Sequence, residues 1–179
     1  MRRIERLVDR VLEQASPPSG GALASSCVEP IVEWAEELLA ERLGERGVRF
    51  ERAVSGPLPR VALEEDALRQ LLLNLLTNAV EASPPGACVR IEASADAANV
   101  VIRIRDEGPG VAPELRERIF EPFFSTKRER PGGLGLAISR RIAEGARGSL
   151  DVEPAAERGA VFRLVLPSAK AEPAGPQRP

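Results

Sequence analysis

An α+β two-layer sandwich is the fold class this sequence predicts, and three observations carry it. Helical and alternating periodicities follow one another in the order helix, strand, helix, hairpin, helix, hairpin. The hairpins make the sheet mixed and mainly antiparallel, and the amphipathic helices between them cover one of its faces. A chain of 179 residues that is 43% hydrophobic has enough apolar material for one cored domain and too little length for two.

The elements can be justified in order. Residues 1–15 place Ile4, Leu7, Val8, Val11 and Leu12 on one stripe of a charged helix, which needs a partner to cover it. Residues 16–25, "SPPSGGALAS", break any helix and read as a linker, so the globular domain is expected over 26–168. "EPIVEWAEELLAERLGERG" (29–47) opens on Pro30, repeats apolar residues at Ile31, Trp34, Ala35, Leu38 and Leu39, and stops at glycine. "VRFERAV" alternates as a strand does, and residues 63–83 form a leucine-rich helix stopped by Pro84-Pro85-Gly86. "ACVRIEASA" and "NVVIRIRD" alternate on either side of a polar turn from Asp96 to Asn99, which predicts a hairpin. A short helix over Pro113–Phe120, another over Gly135–Glu144, and strands at 149–153 and 160–166 complete the domain. Residues 169–179 have the composition of a disordered tail.

Charge and composition exclude several functions. With 25 basic and 27 acidic residues the net charge is −2, so no global field draws the chain to nucleic acid or anionic lipid. Cys27 and Cys88 have no metal-ligand spacing and read as buried, reduced thiols. No apolar stretch is long enough for a signal peptide or a membrane span, and the chain is expected in the cytoplasm. Histidine is absent, which removes histidine general bases, Ser-His-Asp triads and most zinc sites.

Three motifs remain that could carry chemistry. In "NLLTNAVEAS" (74–83) two asparagines interrupt a leucine-rich helix, although asparagine is a mediocre helix former. Gln70, Asn74, Thr77, Asn78 and Glu81 fall in one sector roughly 100° wide. The stripe is either a solvated helix face or a set of neutral oxygens aimed at a hard cation such as magnesium. In "RDEGPGVAPE" (105–114) Asp106 ends a strand before Gly108 and Gly110, an arrangement that serves a tight turn or accepts a hydrogen bond from an exocyclic amine. In "RPGGLGLAISRRI" (130–142) Gly132, Gly133 and Gly135 precede a helix whose free amides suit phosphate oxygens. Neither the P-loop nor the dinucleotide fingerprint fits. Between the last two motifs "FEPFFSTKRER" reads as a lid, with three phenylalanines as packed hinges and Lys127, Arg128 and Arg130 as mobile charge. An exposed basic loop is the plainer reading for the two arginines.

Taken in this order, N-x-x-x-N, D-x-G-x-G, "EPFF" and "GLGLAI" resemble the ATP-binding catalytic domain of sensor histidine kinases, of the gyrase, chaperone, kinase and mismatch-repair ATPase superfamily. The resemblance runs from about residue 26 to Pro167 and includes the closing "GAVFRLVLP". It implies a Bergerat-type sandwich of three main helices on a five-stranded sheet, with ATP and Mg2+ between the asparagine helix and a lid. It implies Asn78 as the magnesium ligand, Asn74 supporting it or contacting phosphate, Lys127 reaching phosphates, and Asn74, Asn78 and Lys127 as the catalytic residues. Asp106 would hold the adenine amine, Gly108 and Gly110 would line the base, and Gly133 and Gly135 would seat the phosphates. Phe120, Leu134 and Leu136 would border the nucleotide.

Hydrolysing members of that superfamily carry glutamate at the position of Asn74, and an amide cannot take a proton from water at neutral pH. The resemblance therefore implies transfer of the γ-phosphoryl group to an external histidine, with slow intrinsic hydrolysis. Pro131 and Gly132 depart from the usual residues before G-L-G-L, and the short lid with "FFSTK" resembles the nitrogen-regulation branch. Residues 1–15 resemble the end of the dimerisation hairpin and are a candidate homodimer contact, but the acceptor histidine is not in this chain. The implied partners are a histidine-containing dimerisation or phosphotransfer domain and, indirectly, a response regulator. A non-catalytic domain that senses ATP and regulates a partner through its lid is the alternative reading, and a serine kinase of the anti-sigma type ranks last.

Overall fold

Strand alternation decides which way the sheet buries itself. In β3 (Asn99–Arg105) Val100, Ile102 and Ile104 are buried, while Val101, Arg103 and Arg105 lie on the other face. The same two-residue period runs through β5 (Ala160–Pro167), where Phe162, Leu164 and Leu166 are buried. The computed structural model describes residues 25–96, 98–125, 133–155 and 158–169. With β1 (Arg49–Val54), β2 (Cys88–Ala95) and β4 (Ser149–Pro154), these strands form one five-stranded sheet in the order β1-β2-β3-β5-β4. The β1–β2 pair is parallel and the others are antiparallel, so the sheet is mixed and mainly antiparallel as predicted.

Three α-helices among the described residues cover the buried face: α1 (Val28–Arg46), α2 (Glu65–Ala82) and α3 (Gly135–Gly145). The α2 sequence supplies Leu68, Leu71, Leu72, Leu75 and Leu76, all at 0% exposure, which makes it the central helix of the core. Truncating any of these leucines to alanine costs about 2–5 kcal/mol. The opposite sheet face is a mosaic of charge: Arg90 meets Glu51 at 2.6 Å, and Glu153 lies between Arg103 at 3.8 Å and Arg163 at 3.6 Å. Exposed pairs of this kind contribute about 0–1 kcal/mol each, so that face keeps the fold soluble more than it holds it together. Val61 ties the two ends of the described domain together through bridges to Ser26 and Ser168.

Two expectations are corrected. Residues 113–120 form two separate 3-10 turns, Pro113–Leu115 and Arg118–Phe120, instead of one helix. Eight residues are too few to sustain an α-helix alone. Here Ile119 and Phe120 are drawn into the core, while the first turn buries no residue. Cys88 is buried as expected, but Cys27 is half-exposed, because it precedes the first turn of α1 and its Sγ accepts a 3.2 Å hydrogen bond from Arg60. Residues 1–15, most of the linker, Lys127, Arg128 and Arg130, and nearly all of the C-terminal tail lie outside the described residues.

Candidate functional site

Stretches far apart in sequence meet along one side of α2. At its middle, Asn74 Nδ2 donates to the Gly135 carbonyl at 3.2 Å and to Ser139 Oγ at 3.3 Å, both on α3. Asn74 Oδ1 accepts from Gln70 Nε2 at 3.0 Å. At its C-terminal end, a side chain at Gly108 would lie 2.9 Å from both Ala82 Cβ and Asp106 Oδ1, so the Asp106 carboxyl adjoins the last turn of α2. Asn78 lies one helical turn from Asn74 and one from Ala82, half-buried, its side chain making no hydrogen bond among the described residues. From Asn74 to Ala82 the helix rises about 12 Å, comparable with the length of a purine nucleoside triphosphate.

Asp106 is the charged member of this surface and is only 3% exposed. It follows directly on β3, where its amide donates to the Ala160 carbonyl at 3.0 Å. Its Oδ1 accepts from the amides of Gly108 at 2.9 Å and Ala160 at 3.3 Å, and its Oδ2 makes no hydrogen bond among the described residues. Burial pushes this carboxyl above the usual carboxylate range, and the two amide bonds pull it partly back. A buried acceptor with one oxygen still free is chemically suited to an N–H donor.

The glycines earn their places through protein contacts. Gly108 admits no side chain because α2 and Asp106 are already there. At Gly133, φ is +86° and a Cβ would lie 2.6 Å from the backbone of Phe123, whose amide donates to the Gly133 carbonyl at 3.0 Å. Gly110 lies against the Gly159 carbonyl in the same manner, whereas Gly135 has ordinary room beside Asn74. Leu134 precedes α3 without capping it through a side chain, so among the described residues no side chain caps the first turn of α3, and Leu136 packs half-buried on the core. Phe120 is buried beneath the Arg140 guanidinium at 4.7 Å. Phe124 is partly buried, but Phe123 is 52% exposed at φ +66°, so only two of the three expected hinge phenylalanines pack. A shallow groove of about 320 Å³ runs along the outer face of α3 between Phe120, Pro122, Arg140 and Glu144, and shares no residue with the Asn74–Asp106 surface.

Sequence reasoning missed Ser139 and the Ala160 amide. Ser139 is signalled only by being a polar residue on the apolar side of α3; the Ala160 amide acts through tertiary approach and leaves no local trace.

A sequence model described as histidine kinase-, DNA gyrase B-, and HSP90-like ATPase matches residues 63–170. The chain belongs to this ATPase family. Among curated relatives of this chain, the sensor histidine kinase ZraS of Escherichia coli K12 is 32% identical over 165 residues, 92% of this chain and 35% of that one. Sporulation kinase C of Bacillus subtilis is 41% identical over 104 residues, covering 58% of this chain and 24% of the kinase. The chain thus spans about a third or less of the length of these two relatives. Full-length ShkA, solved in complex with AMPPNP, superposes with a TM-score of 0.76 at 34% identity, over 92% of this chain and 36% of ShkA. The α+β sandwich predicted from the element order is the histidine kinase ATPase fold. No helix among the described residues is long and apolar enough to cross a membrane.

Proposed function

We propose that this domain binds Mg-ATP along α2 and transfers the γ-phosphoryl group to a histidine outside this chain, as the catalytic part of a two-component signalling kinase. One observation carries the reading: Asn74, Asn78 and the Asp106 carboxyl lie along a single side of α2, between the first turn of α3, which no side chain caps among the described residues, and the end of β3. The free Oδ2 of Asp106 takes the adenine amine, and the N-terminal turn of α3 takes phosphate oxygens. Lys127 adds positive charge from the lid.

The donor set fits magnesium. No cluster of three or more His, Cys, Asp or Glu among the described residues could hold a metal unaided, whereas Asn78 offers one neutral oxygen. Magnesium typically takes one or two protein ligands and completes its shell with phosphate oxygens and water. When bound, it neutralises charge on the phosphates; the chain's own work is to hold the nucleotide in line with the acceptor. The incoming imidazole nitrogen forms its bond to the γ-phosphorus as the bond to the β–γ bridging oxygen breaks, and ADP departs. Asn74 cannot act as a base toward water, so hydrolysis stays slow.

The full kinase's dimerisation segment, its response regulator, a homodimer through residues 1–15, membership of the nitrogen-regulation branch, and the domain limits 26–168 belong to the same proposal, as does a cytoplasmic setting. The test is transfer of label from γ-labelled ATP to an added dimerisation domain bearing the acceptor histidine. Acid-labile, alkali-stable phosphate on that domain is expected. Nucleotide binding without transfer would favour the ATP-sensing alternative.

A further inference from the structure

The Asn74 amide is gripped on its nitrogen side by two groups of α3. The Gly135 carbonyl can only accept, so the atom facing it at 3.2 Å must be Nδ2 whichever way the amide is turned elsewhere. Ser139 Oγ stands 3.3 Å from the same nitrogen on a residue with 0% exposure. Of the buried serines among the described residues, Ser26 and Ser83 give their hydroxyls to backbone carbonyls at 2.6 and 2.8 Å. Ser139 instead meets a side chain of the candidate site. With Nδ2 engaged twice, Oδ1 is the only polar atom of Asn74 left to interact, and its neighbour there is the exposed Gln70 amide.

We propose that Ser139 is a positioning residue: with the Gly135 carbonyl it fixes the Asn74 amide so that only an acceptor oxygen faces the ligand. Asn74 then acts on a cation or on a hydrogen-bond donor such as an ordered water, and not on a phosphate oxygen. An unrestrained amide beside a triphosphate would turn its NH2 toward the anion; turning it here would set Oδ1 against the Gly135 carbonyl, oxygen to oxygen. This rests on the function proposed above, because it assumes a nucleotide beside Asn78.

A simple interhelical staple and a positioning residue differ in what they change. A staple affects stability and every ligand alike, whereas a positioning residue affects the metal-dependent part of binding. The test titrates the full chain with AMPPNP by calorimetry, with magnesium and with chelator, for the unsubstituted chain, Ser139→Ala, Asn74→Ala and the double variant. Ser139→Ala is expected to lower the ratio of magnesium-bound to metal-free affinity by about tenfold. Its metal-free affinity should be unchanged, and the double variant should be no weaker than Asn74→Ala. Ser139→Cys, nearly isosteric with a weaker acceptor, should give an intermediate ratio and covers the case of an alanine variant that does not fold. Equal losses with and without metal, a loss confined to metal-free binding, or a Ser139 effect that adds fully to Asn74→Ala would overturn the proposal. An unsubstituted chain that binds no nucleotide removes the proposed function and this inference with it; one that binds while the variants behave as staples removes the inference alone.

Discussion

Helix α2 meets its two helical neighbours in opposite ways. Against α1 it is sealed by buried apolar side chains and by Arg46, whose guanidinium donates to the carbonyls of Val80 and Glu81 at 3.0 Å and of Ser83 at 3.3 Å. Those are carbonyls at the C-terminal end of α2, so the helix end on that side has its hydrogen-bonding needs met from within the protein. Against α3 the link is the Asn74 amide, and nearby Asn78 and Asp106 Oδ2 keep oxygens that nothing among the described residues engages. A seam whose helix-end carbonyls are met from within contributes stability and offers a ligand nothing, although one buried donor there, Arg69 Nε beside the Trp34 ring, has no hydrogen-bond partner among the described residues. The other seam gives up some of that stability to keep acceptors free.

Each substitution below either breaks this division or sharpens it. The largest effect is expected from Asp106→Ala, which removes the charged acceptor for the adenine amine. A hydrogen bond to a charged group is worth about 1.5–3 kcal/mol, so ATP affinity measured by calorimetry should fall about 10- to 150-fold while the domain stays folded. Asn78→Ala should abolish the magnesium-dependent gain in nucleotide affinity, a larger loss than Ser139→Ala gives, and leave thermal stability nearly unchanged. Arg46→Ala should do the reverse. Losing the guanidinium's hydrogen bonds should cost about 1–2 kcal/mol in denaturant unfolding, with the affinity of the folded protein for nucleotide unaltered. A loss of affinity in Arg46→Ala under folding conditions would mean that the two seams are not separate.

The smallest effect concerns the sign of a pH dependence. Because burial raises the folded-state pKa of Asp106, the folded protein holds that proton more tightly than the unfolded chain does. The resulting stabilisation is fully present below the ordinary carboxylate range and is lost as pH rises through the raised value. Asp106→Asn should therefore unfold at a higher temperature than the unsubstituted domain at neutral pH. The gap should narrow as the pH falls into the carboxylate range. Lower stability of Asp106→Asn at neutral pH would show that the two amide bonds outweigh desolvation.

What the sequence made legible follows the same division. Strands β3 and β5 and the leucines of α2 were readable because burial on one face leaves a period of two or of 3.6 in the chain itself. Asn74, Asn78 and Asp106 were readable because polar residues interrupt those periods. Ser139 and the Ala160 amide were not, since their parts depend on α3 approaching α2 and on β5 pairing with β3. Gly108 has a tertiary reason that its sequence neighbours do not show: a side chain there would meet Ala82 and the Asp106 carboxyl. The segment at 113–120 has helical composition, but burial of Ile119 and Phe120 outweighs so short a helix.

Titrating the unsubstituted chain with AMPPNP and with its guanine counterpart, each with and without magnesium, tests the central claim most directly. If the amide-bearing side of α2 and Asp106 serve one ligand, the adenine compound binds at least about tenfold more tightly than the guanine compound, and chelating the metal weakens it. Equal affinity for the two bases, or adenine binding indifferent to magnesium, would contradict the account.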